Sequence, residues 1–263
     1  MKPLFYLTVF AILVSCNSGG SKAPDDVKVM PPVPAFGYSV VNTFPHDTSS
    51  YTEGLLIYKD NMYESTGEFG KSKLIQVDAK TGKAIRKIDL DSKYFGEGIS
   101  IIRDTVYQLT YQTKVVFVYT LKDFKKIKEF TINTEGWGMT TDGKELIASD
   151  GSSYLYYYDP STFHLLRKQE ITEAGSLSYN LNELEYIDGY IYANQWQQPY
   201  IFKIDPASGQ IVAKADFSEI TNRIKAKYPT ADVMNGIAYD PSTKKIYITG
   251  KYWPDLYEVQ FSK

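Results

Sequence analysis

The chain has 263 residues, a formal net charge of -2 and 43% apolar residues, which allows one large or two small domains with a full core. No long run of either charge sign occurs, so the sequence carries neither a nucleic-acid footprint nor a polybasic membrane patch. The 23 tyrosines and 13 phenylalanines favour strands. In chain order, Lys2 is followed by an apolar run from Leu4 to Val14, too short for a typical spanning helix and read as a targeting segment.

That run ends at Leu13-Val14-Ser15-Cys16. The tetrapeptide resembles the lipobox of bacterial lipoproteins, which implies that residues 1–16 form a lipoprotein-type signal and that Cys16 is lipidated. The alternative is an ordinary secretory signal with a chance cysteine. Cys16 is the only cysteine, so no intrachain disulfide can form. Residues 17–34, rich in Ser, Gly, Lys and Pro, are expected to be a disordered tether. The chain is thus expected in a bacterial cell envelope, held by lipid and facing the periplasm or the outer surface.

From Gly37 onward, short Tyr/Ile/Val-rich runs alternate with turns such as Lys80-Thr81-Gly82, Asp142-Gly143, Asp159-Pro160-Ser161, Asp205-Pro206 and Asp240-Pro241-Ser242. These are hairpin signals. Only Ser218 to Tyr228 reads as a short helix. The runs recur. Tyr63, Tyr107, Tyr192 and Tyr247 mark second strands, while Ile75–Asp78, Val116–Tyr119, Leu155–Asp159, Tyr200–Asp205 and Leu256–Val259 mark third strands. A spacing of roughly 40–55 residues is that of a propeller blade. Five copies predict an all-β, five-bladed β-propeller over residues 35–263, closed by an outer strand near Phe36 to Phe44.

Aligning the repeats brings five inner-strand openings into register: Glu53-Gly54-Leu55, Glu97-Gly98-Ile99, Trp137-Gly138-Met139, Asn182-Glu183-Leu184 and Asn235-Gly236-Ile237. Glu53, Glu97, Trp137, Asn182 and Asn235 are therefore expected at one mouth. Tyr111, Trp196 and Lys251, four residues after three of the marker tyrosines, form a second ring. Blades pack alike, which accounts for the repeated glycines and apolar residues. It does not account for polar groups that differ from blade to blade, and those point to a site. Glu97, between Gly96 and Gly98, is the candidate for proton transfer, since a carboxyl desolvated there would shift toward neutrality.

These motifs resemble the plant-type and bacterial glutaminyl-peptide cyclotransferases. The resemblance runs from about Phe44 to Val259 through Tyr51-Thr52-Glu53-Gly54-Leu55, Ser65-Thr66-Gly67, Phe95-Gly96-Glu97-Gly98-Ile99, Gln108-Leu109-Thr110-Tyr111, Glu135-Gly136-Trp137-Gly138-Met139-Thr140, Leu181-Asn182-Glu183, Asn194-Gln195-Trp196, Met234-Asn235-Gly236 and Thr249-Gly250-Lys251. It implies a five-bladed propeller, acting on peptides or proteins with N-terminal Gln and forming pyroglutamate with loss of ammonia. It implies Glu97 as catalytic acid and base, with Trp137, Trp196, Asn182 and Lys251 as further site residues. The family often has Gln where this chain has Glu53, and usually Trp where it has Tyr111. No cofactor and no metal are expected, and a monomer is.

Other chemistries fit less well. His46 and His164 are the only histidines, too few for the zinc site of the animal-type cyclotransferases. His46-Asp47 lies outside the repeat motifs, against a Ser-His-Asp triad. Gly70-Lys71-Ser72 lacks the glycine spacing of a phosphate loop and reads as a hairpin turn. The open alternative is a non-catalytic propeller lipoprotein that binds a peptide or glycan in its central funnel.

Overall fold

The computed structural model describes residues 30–262; the signal segment, Cys16 and residues 17–29 lie outside the described residues. A first strand, β1 (Tyr38–Pro45), precedes blade one: β2 (Thr52–Tyr58), β3 (Asn61–Thr66), β4 (Lys73–Asp78) and β5 (Lys83–Asp89). Blade two is β6 (Gly96–Ile102), β7 (Thr105–Thr110), β8 (Val115–Thr120) and β9 (Lys126–Thr131). Blade three is β10 (Met139–Thr141), β11 (Leu146–Ser149), β12 (Tyr154–Tyr158) and β13 (Leu165–Glu170), followed by a small ribbon, β14 (Thr172–Glu173) and β15 (Ser176–Leu177). Blade four is β16 (Leu181–Ile187), β17 (Tyr190–Gln195), β18 (Tyr200–Ile204) and β19 (Ile211–Asp216). After α1 (Ser218–Lys227) come β20 (Met234–Asp240), β21 (Lys245–Gly250) and β22 (Asp255–Phe261).

Each blade is a four-stranded antiparallel sheet, and the inner strands β2, β6, β10, β16 and β20 neighbour one another around a closed ring. The fifth blade has only three strands from its own repeat. Its outer strand is β1, paired to β22 from Tyr38 opposite Phe261 to Pro45 opposite Asp255. The expected five-bladed propeller is thus observed, with its first and last strands sharing one sheet and no bare edge left at β22.

Both faces of the inner strands are covered, so β6 and β20 are buried at every position and β2 at its first five, rather than at alternate ones. Neighbouring residues serve opposite interfaces. Leu55 and Ile75 pack toward blade five with Ala238, Tyr247 and Leu256, whereas Leu56 and Leu74 pack toward blade two with Ile99, Val106 and Phe117. Each such side chain, fully buried, contributes about 1.5–3 kcal/mol. The outer strands β5, β9 and β13 are mostly exposed.

Turn chemistry follows the sequence. The carboxylates of Asp78, Asp159, Asp205 and Asp240 each accept the backbone N–H two residues on, at 2.9–3.0 Å, as Asx turns do. The Ser161 and Thr162 hydroxyls, with backbone N–H groups of the same turn, hold Asp159 down to about 2. In α1, Ile220 and Ile224 are one turn apart and buried. Val33 packs beside blades three and four, and the Pro34 carbonyl accepts the Lys214 N–H at 2.9 Å. The last two residues assigned to the tether therefore lie against the propeller.

Candidate active site

The site is built where four inner strands lose register. In β2 the pairing with β3 slips between Thr52 and Gly54, leaving Glu53 unpaired; in β6 it slips between Gly96 and Ile99, around Glu97. The same slip occurs between Leu181 and Leu184, around Asn182, and between Met234 and Ile237, around Asn235. A bulge bends its strand and re-aims a side chain. Here it does so at equivalent points of four blades.

The glycines beside Glu97 serve close approach, not unusual dihedrals. A Cβ on Gly98 would lie 2.4 Å from the Met139 nitrogen, and one on Gly96 would lie 2.8 Å from the Thr66 carbonyl oxygen. Gly98 instead donates its N–H to the Trp137 carbonyl at 2.6 Å, tying blade two to blade three. The Glu97 carbonyl accepts the Ser65 hydroxyl at 2.5 Å, Ser65 accepts Gln108 Nε2 at 2.8 Å, and Gln108 Oε1 accepts the Tyr119 hydroxyl at 3.2 Å. This chain of donors fixes the backbone from which Glu97 projects.

Glu97 opens into a cavity of about 170 Å³ lined by Tyr51, Glu53, Phe95, Glu97, Tyr111, Trp137, Asn182, Trp196 and Lys251. Tyr51, Phe95 and Tyr111 form one aromatic wall, with successive ring centroids 6.1 and 5.8 Å apart. Trp137 and Trp196 form the other, 5.7 Å apart and edge to face. Trp137 Nε1 donates to Glu135 at 3.3 Å.

Seven of the eight side chains expected at the mouth line this cavity. Asn235 does not: it is 1% exposed and stands behind Glu53, donating Nδ2 to the Thr52 carbonyl at 2.9 Å and to Glu53 Oε2 at 3.2 Å. Those two acceptors capture its amide, so repeat position placed its backbone correctly but not its side chain. Tyr51 and Phe95 were not among the expected lining residues. Each lies two residues before a site carboxyl, where the chain enters the inner strand, and that position was the available signal. His46 lies elsewhere, bonded to the Trp253 carbonyl and to Glu64, and His164 is exposed. Gly70 to Ser72 form the turn between β3 and β4. Among the described residues no group of three or more His, Cys, Asp or Glu side chains is arranged to hold a metal ion.

Electrostatics separates the two carboxyls. Lys251 Nζ sits 2.6 Å from Glu53 Oε1 and 4.3 Å over the Tyr51 ring. Burial raises Glu53, and Lys251 opposes that rise. Burial pushes Glu97 well above the usual carboxylate range, and the Glu53 carboxylate adds to it, more than Lys251 draws it back. Burial works against the Lys251 charge, yet Glu53 and Glu97 outweigh it and hold the ammonium above its ordinary pKa. One buried cation can balance one buried anion. The arrangement is a Glu53–Lys251 ion pair beside Glu97, a carboxyl that holds its proton more tightly than an ordinary one and stands next to an enclosed cavity. Asn182 Oδ1 is buried without a hydrogen-bond partner among the described residues.

Comparison with known proteins agrees with this geometry. The sequence profile of the family described as glutamine cyclotransferase matches residues 9–261. A glutaminyl-peptide cyclotransferase of Arabidopsis thaliana is 36% identical over 268 residues, covering 100% of this chain and 83% of the relative. The crystal structure of Myxococcus xanthus glutaminyl cyclase superposes with a TM-score of 0.82 at 30% identity, over 88% of this chain and 99% of that one. In profile, sequence and fold alike, the chain belongs to the glutamine cyclotransferase family.

Proposed function

We propose that this protein is a glutaminyl-peptide cyclotransferase that converts an N-terminal glutaminyl residue to pyroglutamate and releases ammonia, with Glu97 as general acid and base. The observation that carries the reading is a desolvated carboxyl with a raised pKa at an aromatic cavity, beside an ion pair that fixes the surrounding charge. The names of the Arabidopsis and Myxococcus relatives support the same chemistry.

The substrate carries its own nucleophile. Its α-amine attacks the side-chain carboxamide carbon, so the ring closes within one bound molecule and the protein's task is to hold the cyclic conformer and move protons. The amine must be neutral; with a pKa near 8, about a tenth of it is neutral at pH 7. As the N–C bond forms and the C–NH₂ bond breaks, Glu97 gives its proton to the departing nitrogen and takes the one that the attacking nitrogen sheds. The carboxyl ends each turnover as it began. Lys251 has three N–H groups, of which Glu53 occupies one, and donates another to the developing oxyanion. Asn182 Oδ1, a buried acceptor without a partner, takes an N–H of the substrate. The aromatic walls keep water from these exchanges.

Cys16 is the lipid attachment point, and the residues after it tether the propeller in the cell envelope, on the periplasmic or outer face. The short apolar run ending in Leu13-Val14-Ser15-Cys16 supports this.

The test is a coupled ammonia assay on glutaminyl dipeptide amides with EDTA present. Ammonia and pyroglutamyl product in equal amounts are expected. Peptide or glycan binding without ammonia would make this a binding propeller instead.

A further inference from the structure

The cavity of about 170 Å³ has room for a glutaminyl residue and little more, so the remainder of a peptide must leave across the rim. One exposed apolar ring stands next to the cavity wall. Phe69, in the turn between β3 and β4, is 58% exposed, and among the described residues its only aromatic neighbour is Phe95, 5.5 Å away and edge to face. Phe95 lines the cavity, so the Phe69 ring continues that wall outward.

The turn is held stiffly in this pose. Glu68 and Gly70 flank Phe69 with φ of +79° and +76°, a conformation that is costly for a non-glycine residue. The Glu68 carbonyl accepts the N–H groups of Lys71 and Ser72 at 3.1 and 3.0 Å and the Ser72 hydroxyl at 2.7 Å. Ser72 Oγ in turn accepts the Gly96 N–H at 2.9 Å, one residue from Glu97. The exposed ring is therefore registered to the catalytic carboxyl through a short chain of hydrogen bonds. A mobile turn would bury such a ring or let it wander.

We propose that Phe69 is a specificity-determining residue: with Phe95 it forms an apolar shelf for the second residue of the substrate, favouring glutaminyl peptides whose second side chain is aromatic or aliphatic. Continuity with the cavity fixes the occupant, because consecutive Cα atoms are 3.8 Å apart and the residue after a seated glutamine passes directly over the rim. This rests on the glutaminyl reading of the cavity.

The test compares glutaminyl-phenylalanine amide with glutaminyl-glycine amide on the full chain and on its Phe69→Ala and Phe69→Leu variants. In the wild type, KM for the phenylalanine peptide is expected to be about five- to tenfold lower, with kcat within twofold. Phe69→Ala closes the gap by raising only that KM, and Phe69→Leu keeps most of it. A gap that survives Phe69→Ala, or no gap in the wild type, overturns the proposal. The corresponding pyroglutamyl amides, titrated by tryptophan fluorescence, report the same preference without turnover. Loss of ammonia release from both peptides would thus refute the proposed reaction, whereas equal binding of both products would refute the shelf.

Discussion

Two pairs of buried carboxyls sit along the same ring of inner strands, and they have opposite relations to their surroundings. Glu53 and Glu97 face the aromatic cavity and the Lys251 ammonium. Glu183 and Glu185 lie further along β16 and are spent on backbone. Glu183 accepts the N–H groups of Leu55 at 3.2 Å and Ile237 at 2.8 Å, and Glu185 accepts the Tyr239 N–H at 2.8 Å. Burial raises both of the latter, Glu183 well above the usual range and Glu185 to about 8. Glu185 also lines a larger cavity, about 530 Å³, at the far ends of the inner strands. A perturbed carboxyl in a large cavity is therefore not enough to mark catalysis. What differs is the partner: Glu183 and Glu185 are committed to backbone N–H groups of other blades, whereas Glu53 is committed to a side-chain cation and amide at the cavity and so sets the charge beside Glu97, which faces the substrate space.

The strongest way to break that contrast is to remove the counter-charge. Lys251→Met leaves Glu53 and Glu97 buried together without a cation, and is expected to cost about 3 kcal/mol or more in urea unfolding at pH 8, along with a loss of turnover on the order of 100-fold. The sign with pH is fixed. With both folded-state pKa values above the unfolded value, the stability associated with the protonated forms is present at low pH and lost as pH rises through them. The variant should thus lie closest to wild type near pH 5, and a defect that grows on acidification would contradict the assignment.

Glu183→Gln sharpens the other side. Its new NH₂ faces a backbone N–H, so stability should fall by about 1–3 kcal/mol, while kcat of the folded protein stays within a few-fold of wild type. A loss of kcat as large as that of a cavity carboxyl would erase the distinction between the pairs.

Glu53→Gln is the mildest. It restores the residue common in the family, keeps an oxygen for Lys251 and removes one anion next to Glu97. Turnover should remain within a few-fold. Glu97 loses the neighbour that raises it and gains a larger share of Lys251, so its pKa falls and the alkaline limb of kcat/KM moves to lower pH. A limb that stays in place would mean that Glu97 does not set it.

The propeller was legible in the sequence because its cause is local and repeated: two-sided burial of the inner strands and Asx turns such as those at Asp78, Asp159, Asp205 and Asp240. The position of Glu97 was legible because the repeats align. What alignment could not supply is rotamer and reach. Asn235 shares the bulge of Glu53 and Glu97 yet turns back to two nearby acceptors. Tyr51 and Phe95 enter the wall from the residues that lead into β2 and β6, just outside the aligned block. The inter-blade role of Glu183 depends on N–H groups that lie 128 residues before it and 54 after it in the chain, which no local pattern encodes.

The most direct test of the account is the kcat for ammonia release by Glu97→Gln at saturating glutaminyl peptide, with product affinity measured on the same sample. A fall on the order of 100-fold or more, with the Kd of the pyroglutamyl product within about threefold of wild type, is the predicted result. Turnover within tenfold of wild type would show that the proton passes through another group.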